Sequence, residues 1–178
     1  MKSEPLNCDS IKSGFISHSI CTVSFSINTS SAGPRIVSVV LNQPSPGLTN
    51  STADPFMTTV KKAIIAFLDG KIKDLSDIPI DLAHCLPFAE KTLLAARTIP
   101  WGQTISYAGL AKLAGNSRAA RATASVMRNN PLPLIIPCHR IIKSDGSAGG
   151  FMGKQEGPEV ELKVRLLERE GVTINKIK

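Results

Sequence analysis

No run of apolar residues in this 178-residue chain comes near the roughly 18 that a membrane-spanning helix needs, so no membrane partner is expected. The opening stretch MKSEPLNCDSIKSGFISHSI is polar and mixed in charge. It lacks the apolar segment and small-residue cleavage site of a secretory leader, and a soluble, cytoplasmic protein is expected. Cysteine is sparse, with Cys8, Cys21, Cys85 and Cys138 widely spaced and no CxxC-type pair among them. That spacing argues against a disulfide framework and against a zinc centre drawn from Cys8, His18, Cys21, His84 and Cys85. Free thiols and no metal or other cofactor are the expectation. Internal repeats and low-complexity segments are also missing.

Acidic residues are nearly absent from one part of the chain. Between residues 101 and 150 only Asp145 opposes Lys112, Arg118, Arg121, Arg128, Arg140 and Lys143. Residues 1–100 contribute +1 to the formal net charge of +7, and residues 101–178 the other +6. Such a bias attracts a polyanion, although a solvated basic face with no partner has the same composition.

What is present falls into two halves. In CTVSFSI the apolar Cys21, Val23, Phe25 and Ile27 alternate with Thr22, Ser24 and Ser26, and the β-branched run IVSVV follows a turn-rich NTSSAGPR. This pattern predicts a β-hairpin. Asp54 and Pro55 signal a helix start, after which Met57, Val60, Ile64, Phe67 and Leu68 recur at helical spacing as far as Gly70. A second amphipathic helix is predicted in FAEKTLLAARTI, and the domain boundary is placed near residue 87: an N-terminal α/β domain over 1–87, then a second domain over 88–178.

In the second half, SYAGLAKLAGNSRAARATASVMRNNP predicts one helix from near Ser106, a break at Gly115, Asn116 and Ser117, and another helix from about Arg118 to Arg128. Two short helices joined by such a turn are the helix-turn-helix pattern. Arg118, Arg121, Ser125 and Arg128 would share a basic face, with Ala120, Thr123, Ala124 and Met127 on another. A thin, alanine-rich helix with arginines on one side can enter a nucleic-acid groove closely; an ordinary core helix with exposed arginines would look the same.

Within PLPLIIPCHRII, the segment LPLII reads as a short buried strand or extended segment, with Cys138 at its end beside His139 and Arg140. A nucleophilic cysteine must be a thiolate, and a nearby base or cation lowers its pKa from about 8.5. Neighbouring side chains point to different sides of a regular helix or strand, so His139 would reach the sulfur only across a tight turn or through a water. A carboxylate would be needed to orient the imidazole. A buried cysteine beside a satisfied histidine is the other reading of the same residues.

With its order SYAGLAKLAGNSRAARATASVMRNN, NPLPLIIPCHRII and LLEREG, the stretch from about Phe88 to Gly171 resembles the O6-alkylguanine-DNA alkyltransferases, the methylated-DNA–protein-cysteine methyltransferases. The resemblance implies a ribonuclease-H-like α/β N-terminal domain and a mostly helical, winged-helix-like C-terminal domain. It implies a monomer that repairs double-stranded DNA without a cofactor, moving the alkyl group of O6-alkylguanine, and less efficiently of O4-alkylthymine, irreversibly to its own cysteine. By resemblance Cys138 is the acceptor, His139 the base that takes its proton through a water, Glu170 the carboxylate that orients His139, and Tyr107 the group that helps protonate the leaving guanine. Arg121 resembles the finger that fills the space of the flipped nucleotide, with Arg118, Ala120, Ser125 and Arg128 on the DNA-binding helix. Asn130 resembles the brace of the turn before the thiol, and Met127, Arg140, Ile141 and Phe151 fall at pocket or structural positions.

One segment departs from the family pattern. After SDGSAGG the family runs through a Tyr-Ser-type dipeptide directly into its last helix, whereas this chain reads FMGKQEGPEVELK, with Phe151 and Met152 at the dipeptide and several extra residues. The size and closure of the pocket are left open by that difference. Two rival functions also stand: a helix-turn-helix protein that only senses alkylated bases, whose representatives lack the cysteine, and a thiol hydrolase, for which no oxyanion hole is evident.

Overall fold

The computed structural model describes residues 11–30, 33–43 and 54–175. Three antiparallel strands, β1 (Ile11–Ser17), β2 (Thr22–Ser30) and β3 (Gly33–Leu41), form a sheet in sequential order. Cys21, Val23, Phe25 and Ile27 are all buried, as their alternation requires. The expected hairpin is thus the β2–β3 pair of a three-stranded sheet. Strand β1 carries little pattern because it is an edge strand that buries only Gly14 and Ile16, its other positions being Lys, Ser or partly exposed apolar residues.

Helix α1 (Pro55–Leu68) starts where the sequence signals it. Asp54 accepts from the Phe56 and Met57 amides at 2.9 and 3.2 Å, Pro55 occupies the first turn, and Met57, Val60, Ile64, Phe67 and Leu68 are buried. The free edge of β3 then receives two segments. Ile36 N donates to Pro79 O at 2.9 Å, Asp81 N to Ile36 O at 2.8 Å, and Val39 N to Pro131 O at 2.8 Å. The last bond fixes the sheet edge against the chain that leads to Cys138.

The remaining elements are α2 (Pro87–Arg97), β4 (Ile105–Ser106), α3 (Tyr107–Leu113), α4 (Ala120–Arg128), β5 (Ile141–Ile142) and α5 (Pro158–Arg169), with a 3₁₀ turn at Cys138–Arg140. Ser106 caps α3, its hydroxyl accepting from Gly109 N at 3.0 Å. Short β4 and β5 pair in parallel. The result is a mixed α/β fold with one continuous core that includes Val23, Phe67, Leu93, Leu132 and Leu166. Among the described residues no helix is long and apolar enough to cross a membrane.

Two sequence expectations are corrected. Helix α4 begins at Ala120, two residues later than expected, because no side chain caps its start and the Ala119 amide closes a turn on Asn116 O at 3.0 Å. Arg118 therefore precedes the helix and does not share a helical register with Arg121, Ser125 and Arg128. The LPLII segment is a tight buried turn rather than a strand, with Pro133 bridged to Ile136 and Leu134 held at φ 73°. A leucine in the left-handed region is strained by roughly 1–3 kcal/mol, and the side chain of Asn130 fixes it there. Its Nδ2 donates to Ile136 O and its Oδ1 accepts from Leu132 N, both at 3.0 Å.

Candidate active site

Pro137 ends the buried turn and the next three residues form one turn of 3₁₀ helix, closed by Arg140 N donating to Pro137 O at 2.9 Å. Successive side chains of a 3₁₀ turn diverge by about 120°. Cys138 faces a cavity of about 240 Å³, while His139 and Arg140 turn inward and meet Glu170. All four side chains are buried.

Glu170 is the C-terminal cap residue of α5, and its carboxylate collects five hydrogen bonds. His139 Nε2 lies 2.8 Å from Oε1; Arg140 donates from Nε to Oε1 and Oε2 at 3.2 and 2.9 Å and from Nη2 to Oε1 at 2.9 Å; the Gly102 amide donates to Oε2 at 3.1 Å. The remaining Arg140 donor, Nη1, reaches Ile99 O at 2.6 Å. Burial alone would raise the Glu170 pKa, but the bonds and charges of His139 and Arg140 outweigh it and pull the carboxyl down to about 2. An ionised carboxylate can only accept, so His139 Nε2 carries the proton.

Burial holds the His139 pKa below its ordinary value against the pull of Glu170, and the ring is neutral at neutral pH. Its other nitrogen, Nδ1, is buried with no hydrogen-bond partner among the described residues. In the neutral Nε2–H tautomer this nitrogen is a free acceptor. The ring also packs edge-on against Phe67 of α1 at 6.5 Å, and Phe67 in turn against Trp101 at 5.3 Å. The N-terminal half thus holds the imidazole in place.

Sequence reasoning missed Lys163. It is 0% exposed, has no carboxylate partner, and donates from Nζ to Ile141 O and to Gly150 O. Burial lowers its pKa to about 8, opposed by the charge of Cys138. The Cys138 thiol is raised by burial and drawn back by a hydrogen bond from Asn130 and the charge of Lys163. The signal was available: Val160, Lys163 and Leu167 recur at i, i+3 and i+7 on the apolar stripe of α5, where a lysine has no ordinary place.

The other expected residues divide between cavity, surface and core. Tyr107, Met127, Arg128 and Phe151 line the cavity with Cys138, as do Ala124 and Lys143. The Tyr107 hydroxyl is raised by burial and by the charge of Cys138, with Arg128 opposing, so it remains protonated. Arg118, Arg121 and Ser125 are exposed on the outer face and Ala120 is half-buried. Arg140 and Ile141 do not line this cavity: Arg140 is spent on Glu170 and Ile99, and Ile141 lies in the core. Of the residues considered for zinc, His18 meets Asp69 at 3.0 Å, and no metal-ligating group of three is found among the described residues. Cys8 lies outside the described residues.

Comparison with known proteins matches residues 87–172 to the family described as 6-O-methylguanine DNA methyltransferase, DNA binding domain. The methylated-DNA–protein-cysteine methyltransferase of Methanothermobacter thermautotrophicus is 37% identical over 142 residues, covering 78% of this chain and 76% of that protein. The chain belongs to this family. The methyltransferase of the same name from Mus musculus is 45% identical over 76 residues, which are 43% of this chain and 34% of the mouse protein. The crystal structure of Mycobacterium tuberculosis OGT in complex with DNA superposes with a TM-score of 0.72 at 26% identity, covering 90% of this chain and 93% of that one. This methyltransferase chain therefore spans three quarters of its archaeal relative and a third of its murine one.

Proposed function

We propose that the protein repairs O6-alkylguanine in double-stranded DNA, and O4-alkylthymine less efficiently, by transferring the alkyl group to Cys138 once and irreversibly. The observation that carries this reading is the buried thiol at a cavity beside an imidazole whose Nε2 is oriented by Glu170, itself held by Arg140, and whose Nδ1 is left free. Nδ1 takes the thiol proton through a water, and Lys163 supplies the positive charge that a buried thiolate requires. Sulfur attacks the alkyl carbon in line, the carbon–O6 bond breaks, and the electron pair departs on the base, which Tyr107 protonates. The product is a neutral thioether that no thiol exchange reverses. The dry surroundings of Cys138 strengthen each polar contact made to the departing base.

The target atom is inaccessible within a duplex, so the base must be extruded. Helix α4 carries exposed Arg121, Ser125 and Arg128, and the same helix contributes Ala124, Met127 and Arg128 to the cavity wall. A helix that faces DNA on one side and the thiol on another places the flipped base at the sulfur. In this reading Arg121 enters the stack, Arg118 and Arg128 meet phosphates, small Ala120 admits the backbone, and the unit from residue 88 onward is a winged-helix-like DNA-binding domain. Residues 1–87 form a ribonuclease-H-like domain, and the protein acts as a cytoplasmic monomer.

Arg121→Ala tests the DNA part. It is expected to slow repair of a duplex by about 10- to 100-fold, the loss of one well-placed charged contact, and to leave reaction with free O6-benzylguanine within about twofold, because the thiol machinery is untouched. Rapid-quench rates on both substrates decide the matter. Equal losses on both would remove Arg121 from the extrusion step.

A further inference from the structure

We propose that Gln155 determines specificity at this site: its side-chain amide donates a hydrogen bond to the oxygen through which the alkyl group leaves. The inference rests on the alkyl-transfer reading of Cys138. It deepens that reading with a residue that lies in the segment where this chain departs from the family pattern.

Residues 151–154 form a two-residue hairpin. Phe151 N donates to Lys154 O and Lys154 N to Phe151 O, both at 2.9 Å. The joining residues, Met152 and Gly153, have φ of 48° and 83°, the pair of positive values that marks a type I′ turn. Phe151 is 3% exposed and anchors the hairpin in the core. Gln155 follows at once, and its amide lies over Gly150: a Cβ added there would stand 2.8 Å from Gln155 Nε2 and 2.7 Å from Lys154 O. The carbonyl of Gly150 accepts from the buried Lys163 Nζ at 3.3 Å. A continuous set of contacts thus runs from the lysine beside the thiol, through Gly150, to the Gln155 amide on the wall of the same cavity.

Five polar side chains line that cavity with Cys138: Tyr107, Arg128, Lys143, Lys154 and Gln155. Arg128, Lys143 and Lys154 are exposed cations, suited to the phosphodiester on either side of an extruded nucleotide. Tyr107 stands on the wall built by α3. Gln155 is the other uncharged member, an exposed side chain that follows the hairpin, and its amide offers a planar NH₂ donor. As the carbon–sulfur bond forms and the carbon–O6 bond breaks, negative charge grows on O6 and the adjoining ring nitrogen. A donor that reaches O6 therefore binds the transition state more tightly than the ground state.

The test compares single-turnover rates of the full chain and its Gln155→Leu and Gln155→Met variants on two duplexes, one with O6-methylguanine and one with S6-methyl-6-thioguanine. Gln155→Leu is expected to lose roughly 10- to 100-fold on the oxygen substrate, the worth of a hydrogen bond to a charged acceptor. On the sulfur substrate it should lose less than about threefold, because a thioether sulfur accepts weakly. Gln155→Met, of similar length but without a donor, should follow the same pattern. Iodoacetamide labelling of Cys138 should be unchanged in both, showing an intact thiol site. Equal losses on both substrates, or no loss on the oxygen substrate, would overturn the assignment of Gln155. A wild-type chain that transfers from neither duplex would overturn the alkyl-transfer reading itself.

Discussion

Glu170→Ala is expected to lower the free energy of unfolding by about 3–5 kcal/mol, the usual cost of removing one partner from a buried, hydrogen-bonded charge pair. The substitution strands the Arg140 guanidinium, which is buried and otherwise bonded only to Ile99 O, and it leaves the Gly102 amide and His139 Nε2 without acceptors. For a chain of this size the melting temperature should fall by about 10 °C. Catalysis should suffer as well, because nothing then fixes the tautomer that leaves Nδ1 free. Denaturant titration and calorimetry measure the first effect; a shift under about 2 °C would show that the five bonds on Glu170 contribute little.

The same site sets the acid response. The Glu170 carboxyl, ordinarily near 4.5, is held at about 2 in the folded chain, so its stabilisation is complete above pH 4.5 and is lost as pH falls toward 2. His139 acts in the same direction at higher pH. Its folded pKa lies below 6.5, so the unfolded chain takes up a proton that the folded chain resists, and stability declines as pH drops below about 6.5. In Glu170→Ala the decline between 4.5 and 2 should become shallower by the share of Glu170, the rest coming from Asp54, Asp69, Asp74 and Asp145, whose carboxyls are also held low, and the decline below 6.5 should persist.

Cys138→Ser is expected to abolish alkyl transfer entirely while duplex affinity and melting temperature stay close to those of the wild type. A hydroxyl of nearly the same size fits the cavity floor, but it is far too weak an acid for Nδ1 to deprotonate, even beside Lys163. Binding should survive because the exposed arginines of α4 lie on a different element from the thiol turn. A serine variant that still removed the methyl group from DNA would point to a nucleophile other than Cys138 and overturn both alkyl transfer to the thiol and the thiol-hydrolase reading. One that failed to bind would show that the thiol turn and α4 are not separable.

Much of this was legible in the sequence, for reasons that differ by element. Asp54–Pro55 and the i, i+3, i+4 spacing of Met57, Val60, Ile64 and Phe67 specify α1 because a cap and an apolar stripe are local properties. The alternation from Cys21 to Ile27 specifies β2 in the same way. Strand β1 escaped because an edge strand buries few side chains. The LPLII turn escaped because five apolar residues in a row do not reveal whether they are buried in a strand or a turn, and what decides the matter is a side chain, Asn130, bonding at both ends. The start of α4 was misplaced because arginine and alanine propagate a helix equally well and no capping residue marks its first turn. At the site, PCHR located the thiol, but no local pattern joins His139 to Glu170, 31 residues away: the family resemblance supplied that pairing, and the fold places the two groups 2.8 Å apart. Lys163 could have been found by asking why a lysine interrupts an apolar stripe.

The central claim is that one chain accepts one alkyl group, at Cys138. An excess of duplex containing O6-methylguanine is incubated with the protein, demethylated DNA is counted over time, and the protein is then digested and its peptides weighed. The account predicts a burst of one repaired base per chain with no further turnover, and one added methyl on the peptide that contains Cys138, with none on Cys8, Cys21 or Cys85. Repair that continues beyond one equivalent, or methyl on another cysteine, would contradict it.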